Sequence, residues 1–252
     1  MSTSGVVVHR DPELLAAATA ARLITRIADV QAERGSASVV LTGGGTGIAV
    51  LEHVRHSPAR DAIDWAKLDL YWGDERFVPV DDDERNEKQA RQALLDHVPL
   101  DPSRVHPMAA SDGEFGSDPD AAADGYARLL AGAAADGWVP AFDITLLGLG
   151  GEGHTASIFP DSPAVHERER SVISVRESPK PPPTRVSLTL PAIRRSAEVW
   201  LVTTGSAKSD AVALAVAGAP EAQLPVAGAR GSRRTLWLLD EAAADALPRT
   251  RP

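Results

Sequence analysis

Apolar positions along the chain fall into two rhythms. Ala16, Ala20, Leu23, Ile27 and Val30 recur at helical spacing, which predicts a helix over Pro12 to Arg34 with one buried face. Asp11 stands where an N-cap belongs, Pro12 takes the first helical position and Gly35 ends the run. Short continuous apolar runs predict buried strands at Val39 to Leu41, Leu68 to Trp72, Ile144 to Leu147, Val172 to Val175, Val199 to Thr203 and Thr235 to Leu239. Val6 to Val8 reads as a short edge strand, and Val186 to Leu190 alternates as a strand. Helices are expected from about Ile48 to Arg55, Arg85 to His97, Asp120 to Ala135, Gly205 to about Ala217, and Glu241 to Leu247. Tyr126, Leu129 and Leu130 are the buried candidates of the Ala-rich one. The acids Asp81 to Glu84 precede a helix and complement its dipole. Residues 99–119, rich in Pro, Gly, Ser and Asp, read as a long connection, and Pro179 to Pro183 as an extended loop. Strands alternating with helices predict an α/β fold: an open, mostly parallel, Rossmann-like sheet flanked by helices. There is no internal repeat and no strong linker, so residues 1–252 are expected to form a single domain.

Composition narrows the function. The 252 residues are 43% hydrophobic and 24% charged, as in a soluble globular protein. A net charge of −9 offers no basic footprint for nucleic acid, so no nucleic-acid partner is expected. It leaves room for an anionic metabolite, because a site's local charge can oppose the net charge. With no cysteine, thiol nucleophiles, disulfides and Cys-ligated zinc are excluded. Met1 to Asp11 lacks a signal-peptide core and no apolar run approaches membrane length, so a cytoplasmic protein with no membrane partner is expected.

The chemistry gathers where predicted strands end. Gly43 to Gly47 follows one strand and opens a helix, an arrangement that turns backbone N–H groups toward an anion. Asp74, Glu75 and Arg76 follow another, and three charges there need water, a partner or a ligand. Gly148, Gly150, Gly151 and Gly153 follow a third and lead to His154, a proton acceptor near neutral pH. Lys208 would sit in the first turn of a helix, unfavourably for the dipole, which a bound anion would explain. In a doubly wound sheet such turns converge on one crevice at the carboxyl ends of the strands. Gly148, Gly150 and Gly153 also fit a dinucleotide fingerprint, but Pro160 and Pro163 would cut the required helix short. No P-loop lysine, Gly-x-Ser-x-Gly elbow or His-Glu-x-x-His motif is present.

Five ordered motifs spread over nearly the whole chain carry a resemblance: Leu41-Thr-Gly-Gly-Gly-Thr46, Trp72-Gly-Asp-Glu-Arg76-Phe-Val-Pro79, Gly148-Leu-Gly-Gly-Glu-Gly-His-Thr-Ala-Ser-Ile-Phe-Pro160, Arg185-Val-Ser-Leu-Thr-Leu-Pro191 and Gly205-Ser-Ala-Lys208. Together they resemble the 6-phosphogluconolactonase family, related in fold to glucosamine-6-phosphate deaminase and ribose-5-phosphate isomerase. The resemblance implies hydrolysis of 6-phospho-D-glucono-1,5-lactone in the oxidative pentose phosphate pathway, with no metal and no other cofactor. It implies a phosphorylated sugar lactone as the small-molecule partner, bound by a monomer or weak homo-oligomer. His154 would take a proton from the water that attacks the lactone carbonyl. Glu152 or Asp74 would orient the histidine or the sugar hydroxyls, and Arg76 or backbone N–H groups would meet the oxyanion. Gly44, Gly45 and Thr46, with Arg185 and Lys208, would hold the phosphate. The family's pattern has Asp where this chain has Glu152, a longer carboxylate that is expected to raise the histidine's pKa and fix its tautomer.

Two alternatives remain on the residues. An isomerase or deaminase on the same scaffold would use Asp74 near C1 and C2. Asp-Glu-Arg in place of Asp-Glu-Tyr, and His-Thr-Ala-Ser in place of His-Ile-Ala-Phe, favour the lactonase. A sugar-phosphate sensor would carry a helix-turn-helix ahead of this fold, for which the short amino terminus is expected to leave no room.

Overall fold

The computed structural model describes residues 3–248. Strands β1 (Thr3–His9), β2 (Ala37–Leu41), β3 (Leu68–Trp72), β5 (Ile144–Leu147), β8 (Glu198–Thr203) and β9 (Arg234–Asp240) form one six-stranded sheet. Its order is β1-β9-β8-β5-β2-β3, and every pairing is parallel. The helices are α1 (Pro12–Arg34), α2 (Gly44–His56), α3 (Asn86–Ala93), α4 (Pro119–Ala133) and α7 (Ser209–Val216), with the short α5 (Pro163–His166) and α6 (Leu190–Ile193) between them. None is long and apolar enough to cross a membrane among the described residues.

Apart from the partly exposed edge strand β1, the strands of the large sheet are buried on both faces, which is why they read as continuous apolar runs. Along β8 the side chains alternate between two cores. Trp200 and Val202 pack with Leu15, Leu23 and Ile27 of α1 and Val50 and Leu51 of α2. Val199 and Leu201 pack with Ala123, Tyr126 and Leu130 of α4 and Val212 of α7. The α1 helix begins as expected, with Asp11 Oδ1 accepting from Leu14 N at 2.8 Å, and ends on Gly35 in the left-handed region.

Several elements differ from expectation. Asp74–Arg76 is not a turn but strand β4, which pairs antiparallel with β7 (Arg185–Leu188), itself antiparallel to β6 (Val172–Val175). This second, three-stranded sheet packs over one face of the large one. The alternating strand stops at Leu188, because Thr189 caps α6 by accepting from Ala192 N. The α2 helix begins at Gly44, four residues early, since glycine needs no side chain to enter the turn. The run to His97 breaks after Ala93 into a 3-10 turn, and Ser206–Lys208 is a 3-10 turn ahead of α7. The last expected helix, from Glu241, is a series of turns anchored on Asp240. Leu129 is 37% exposed, whereas Tyr126 and Leu130 are buried.

Candidate active site

The chain leaves β2 toward β3 on one side of the sheet and leaves β5 toward β8 and β9 on the other. The order therefore reverses between β2 and β5. At such a switch point the connections after adjacent strands part and open a crevice. The cleft found there is lined by Gly43 and Gly44 after β2, by Gly148 and His154 after β5, and by Asp74, Arg76, Asn86 and Arg185 from the small sheet and α3. Gly73 links the two sheets: its N–H donates to Leu41 O, and its carbonyl accepts from Leu188 N.

The turn after β5 is tight. Gly150 N donates to His154 O at 3.0 Å and Gly153 N to Gly150 O at 2.9 Å. Gly153 has φ +89°, and a Cβ there would lie 2.1 Å from Leu224 Cδ1, so only glycine fits. The turn brings His154 Nδ1 to 2.8 Å from Glu152 Oε1. Lys180 Nζ lies 3.0 and 3.1 Å from the two oxygens of the same carboxylate. Burial alone would raise the Glu152 pKa. The backbone N–H of its own residue, Lys180 and His154 outweigh that and hold it at about 2. An ionised carboxylate only accepts, so Nδ1 carries the ring proton and Nε2 is left as the basic nitrogen. The imidazole stacks on Phe159 at 4.6 Å between centroids. Its pKa is lowered from 6.5, first by burial and then by Lys180, with Glu152 pulling the other way. The carboxylate thus fixes the tautomer, but burial outweighs its upward push on the pKa.

Across the cleft, Asp74 is buried, and its Oδ2 accepts from Ser157 Oγ at 2.7 Å. Arg185 Nη1 is 4.0 Å from the same oxygen. The rest of this buried guanidinium is tied to backbone: Nε donates to Pro182 O, and Nη2 to Lys180 O and Pro181 O. Arg76 Nη1 donates to Glu84 O and to Asn86 Oδ1, both at 2.7 Å. Glu75, on the opposite face of β4, is 1% exposed, and burial pushes its carboxyl up to about 7.

Of the residues singled out in the sequence, the cleft collects Gly44, Asp74, Arg76, His154 and Arg185. Glu152 reaches it through His154. Gly45 borders a separate groove beside α2 and α3. Thr46 shares a hydrogen bond with Thr204, 3.0 Å away across the neighbouring turn. Lys208 is half-buried beside that turn and has no ion pair among the described residues. Of the residues expected to hold the phosphate, Gly44 and Arg185 thus line the cleft itself, while Gly45, Thr46 and Lys208 lie on the elements around it. Asn86, Ser157 and Lys180 carry no functional assignment in the sequence analysis. Lys180 lies in a proline-rich loop and Asn86 in a helix read as structural, and neither carries a local signal of its partner.

The chain is similar over nearly its whole length to known proteins. The family described as glucosamine-6-phosphate isomerases/6-phosphogluconolactonase matches residues 10–237. A 6-phosphogluconolactonase of Streptomyces coelicolor is 62% identical over 251 residues, covering 98% of this chain and 96% of the relative. The solved 6-phosphogluconolactonase of Trypanosoma brucei superposes with a TM-score of 0.84 at 28% identity, covering 98% of this chain and 100% of that one. A monomeric glucosamine-6-phosphate deaminase shares the fold at 20% identity, with a TM-score of 0.79 over 98% of this chain and 100% of its own. The chain belongs to the glucosamine-6-phosphate isomerase/6-phosphogluconolactonase family.

Proposed function

We propose that the protein is a 6-phosphogluconolactonase, hydrolysing 6-phospho-D-glucono-1,5-lactone to 6-phosphogluconate in the oxidative pentose phosphate pathway. The observation that carries this reading is His154. It sits at the switch-point cleft with Nδ1 committed to Glu152 and Nε2 available, facing a set of cationic and carboxylate groups. Nε2 takes a proton from water as its oxygen bonds to the lactone carbonyl carbon. The carbonyl oxygen becomes an oxyanion, for which Arg76 and the N–H groups of the glycine turns are the donors. Collapse of the tetrahedral species breaks the bond to the ring oxygen. That oxygen leaves with the proton held by His154, so the base is restored. Arg185, Lys208 and the N-terminus of α2, which has no side-chain cap, attract the phosphate. This remote binding holds the carbonyl in place for attack.

Asp74 is the group to weigh between the two chemistries named in the family's description. Its carboxylate accepts from Ser157 and faces Arg185. That suits an oriented group that binds a sugar hydroxyl, and it leaves His154 as the base. The test is to incubate the protein separately with 6-phosphogluconolactone and with glucosamine 6-phosphate, following acid and ammonia release. Acid from the first above the spontaneous rate, and no ammonia from the second, is expected. The reverse would establish a deaminase.

A further inference from the structure

Helix α3 starts without a cap of its own. Arg85 holds the N-cap position and its side chain makes no capping bond. The first N–H groups of a helix have no partner within it. Here a carboxylate from another element takes them: Glu75 Oε1 accepts from Asn86 N at 2.7 Å, and Oε2 from Glu87 N at 2.9 Å. Oε1 also accepts from Arg76 N at 2.8 Å. Arg85, as buried as Glu75, lies 3.7 Å from Oε2 and bonds Glu87 and the Met108 carbonyl.

Residues alternate faces along a strand. Asp74 and Arg76 of β4 look into the cleft, while Glu75 looks back at α3 and does not line it. The residue Glu75 caps is the one that holds Arg76. Asn86 Oδ1 accepts from the Arg76 guanidinium at 2.7 Å, and Asn86 Nδ2 donates to Asp74 O at 2.7 Å. Stability alone explains such a device poorly, because a buried ion pair is often no more stabilising than apolar packing of the same volume.

We propose that Glu75 is a positioning residue: by capping α3 from the back of β4 it fixes Asn86, and through Asn86 it aims Arg76 into the cleft. This deepens the lactonase reading, in which Arg76 meets the substrate, and rests on it. The test is a kinetic cycle on the phosphorylated lactone with Glu75→Gln, Arg76→Lys and the double variant. Each single change should lower kcat/KM by about 10- to 100-fold, the order of a charge-assisted hydrogen bond. Adding Arg76→Lys to Glu75→Gln should cost less than about threefold more, because residues acting as a unit are non-additive. Amide exchange at Asn86 and Glu87 should quicken about tenfold in Glu75→Gln, as a lost cap predicts.

Full multiplication of the two kinetic losses would overturn the proposal. So would a Glu75→Gln protein with a lowered melting temperature but unchanged kcat and KM. If Glu75→Gln does not fold, Glu75→Gln with Arg85→Met removes both buried charges and carries the same cycle. Failure of both to fold would assign Glu75 to stability alone and reject the proposal. A wild type inert toward the lactone would instead reject the functional reading. Glu75 is then judged by amide exchange: unchanged rates overturn the cap, and faster rates retain it as a device that shapes the cleft.

Discussion

The surroundings of His154 fit the base proposed for it. Burial and Lys180 keep the imidazole neutral below its ordinary pKa of 6.5, and Glu152 opposes them. The acid limb of kcat/KM, where the base becomes protonated, should therefore lie below pH 6.5. Removing the group that raises the pKa moves the limb down, and removing a group that lowers it moves the limb up. Glu152→Gln should shift it to lower pH and Lys180→Met to higher pH. Profiles that stay put, or move together, would detach this pair from His154. The two phosphate candidates differ in setting. Arg185 is buried and pinned by three carbonyls, whereas Lys208 is half-buried and has no ion pair among the described residues. Replacing either by Ala should cut kcat/KM for the phosphorylated lactone by about 10- to 100-fold and erode its advantage over plain gluconolactone. Arg185→Ala should also lower the melting temperature, because it removes the hydrogen bonds to the Lys180, Pro181 and Pro182 carbonyls. Equal losses on both lactones would remove the phosphate role. At this scale the cleft positions of His154, Asp74 and Arg76 were legible because each follows a strand, and that of Arg185 through its motif. Lys180 was not, since its partner Glu152 lies 28 residues away in sequence.

In the proposed reaction the element that sets the chemistry is the turn after β5, and glycine is needed there for space as well as for backbone freedom. A Cβ on Gly150 would lie 1.9 Å from His154 Nδ1 and 2.7 Å from Glu152 Oε2. Gly150→Ala should thus force the pair apart, lowering kcat by at least about tenfold while the fold is kept, since a small misplacement in an active site has effects of that order. Normal turnover in a folded Gly150→Ala protein would show that the His154–Glu152 contact is dispensable. The turn was visible in the sequence as a cluster of glycines, yet the 2.8 Å contact was not. The strands of the large sheet other than β1 were equally visible, being buried on both faces. Strand β4 was hidden because its residues are Asp, Glu and Arg, which mark a solvated turn unless distant partners satisfy them. Ser157, Asn86 and the first amides of α3 do so here. The run expected to be a helix after β9 forms turns instead.

In the whole molecule, the order β1-β9-β8-β5-β2-β3 creates the site by reversing between β2 and β5. Alternating strands and helices announced the α/β class, and with it a crevice at the carboxyl ends of the strands. They did not announce the β4-β7-β6 sheet, because β4 pairs with β7 more than a hundred residues further on, a pairing that leaves no periodic trace. That sheet brings Asp74, Arg76 and Arg185 over the crevice opposite His154. In the proposed reaction the large sheet supplies the base and the small one the charged groups that face it. The most direct test is the rate of acid release from 6-phospho-D-glucono-1,5-lactone, net of spontaneous opening, for wild type and His154→Ala at pH near 7. A drop of about 100- to 10,000-fold in a variant that still folds is expected, the usual worth of a general base. Turnover within a few-fold of wild type would remove His154 from the reaction and contradict the account.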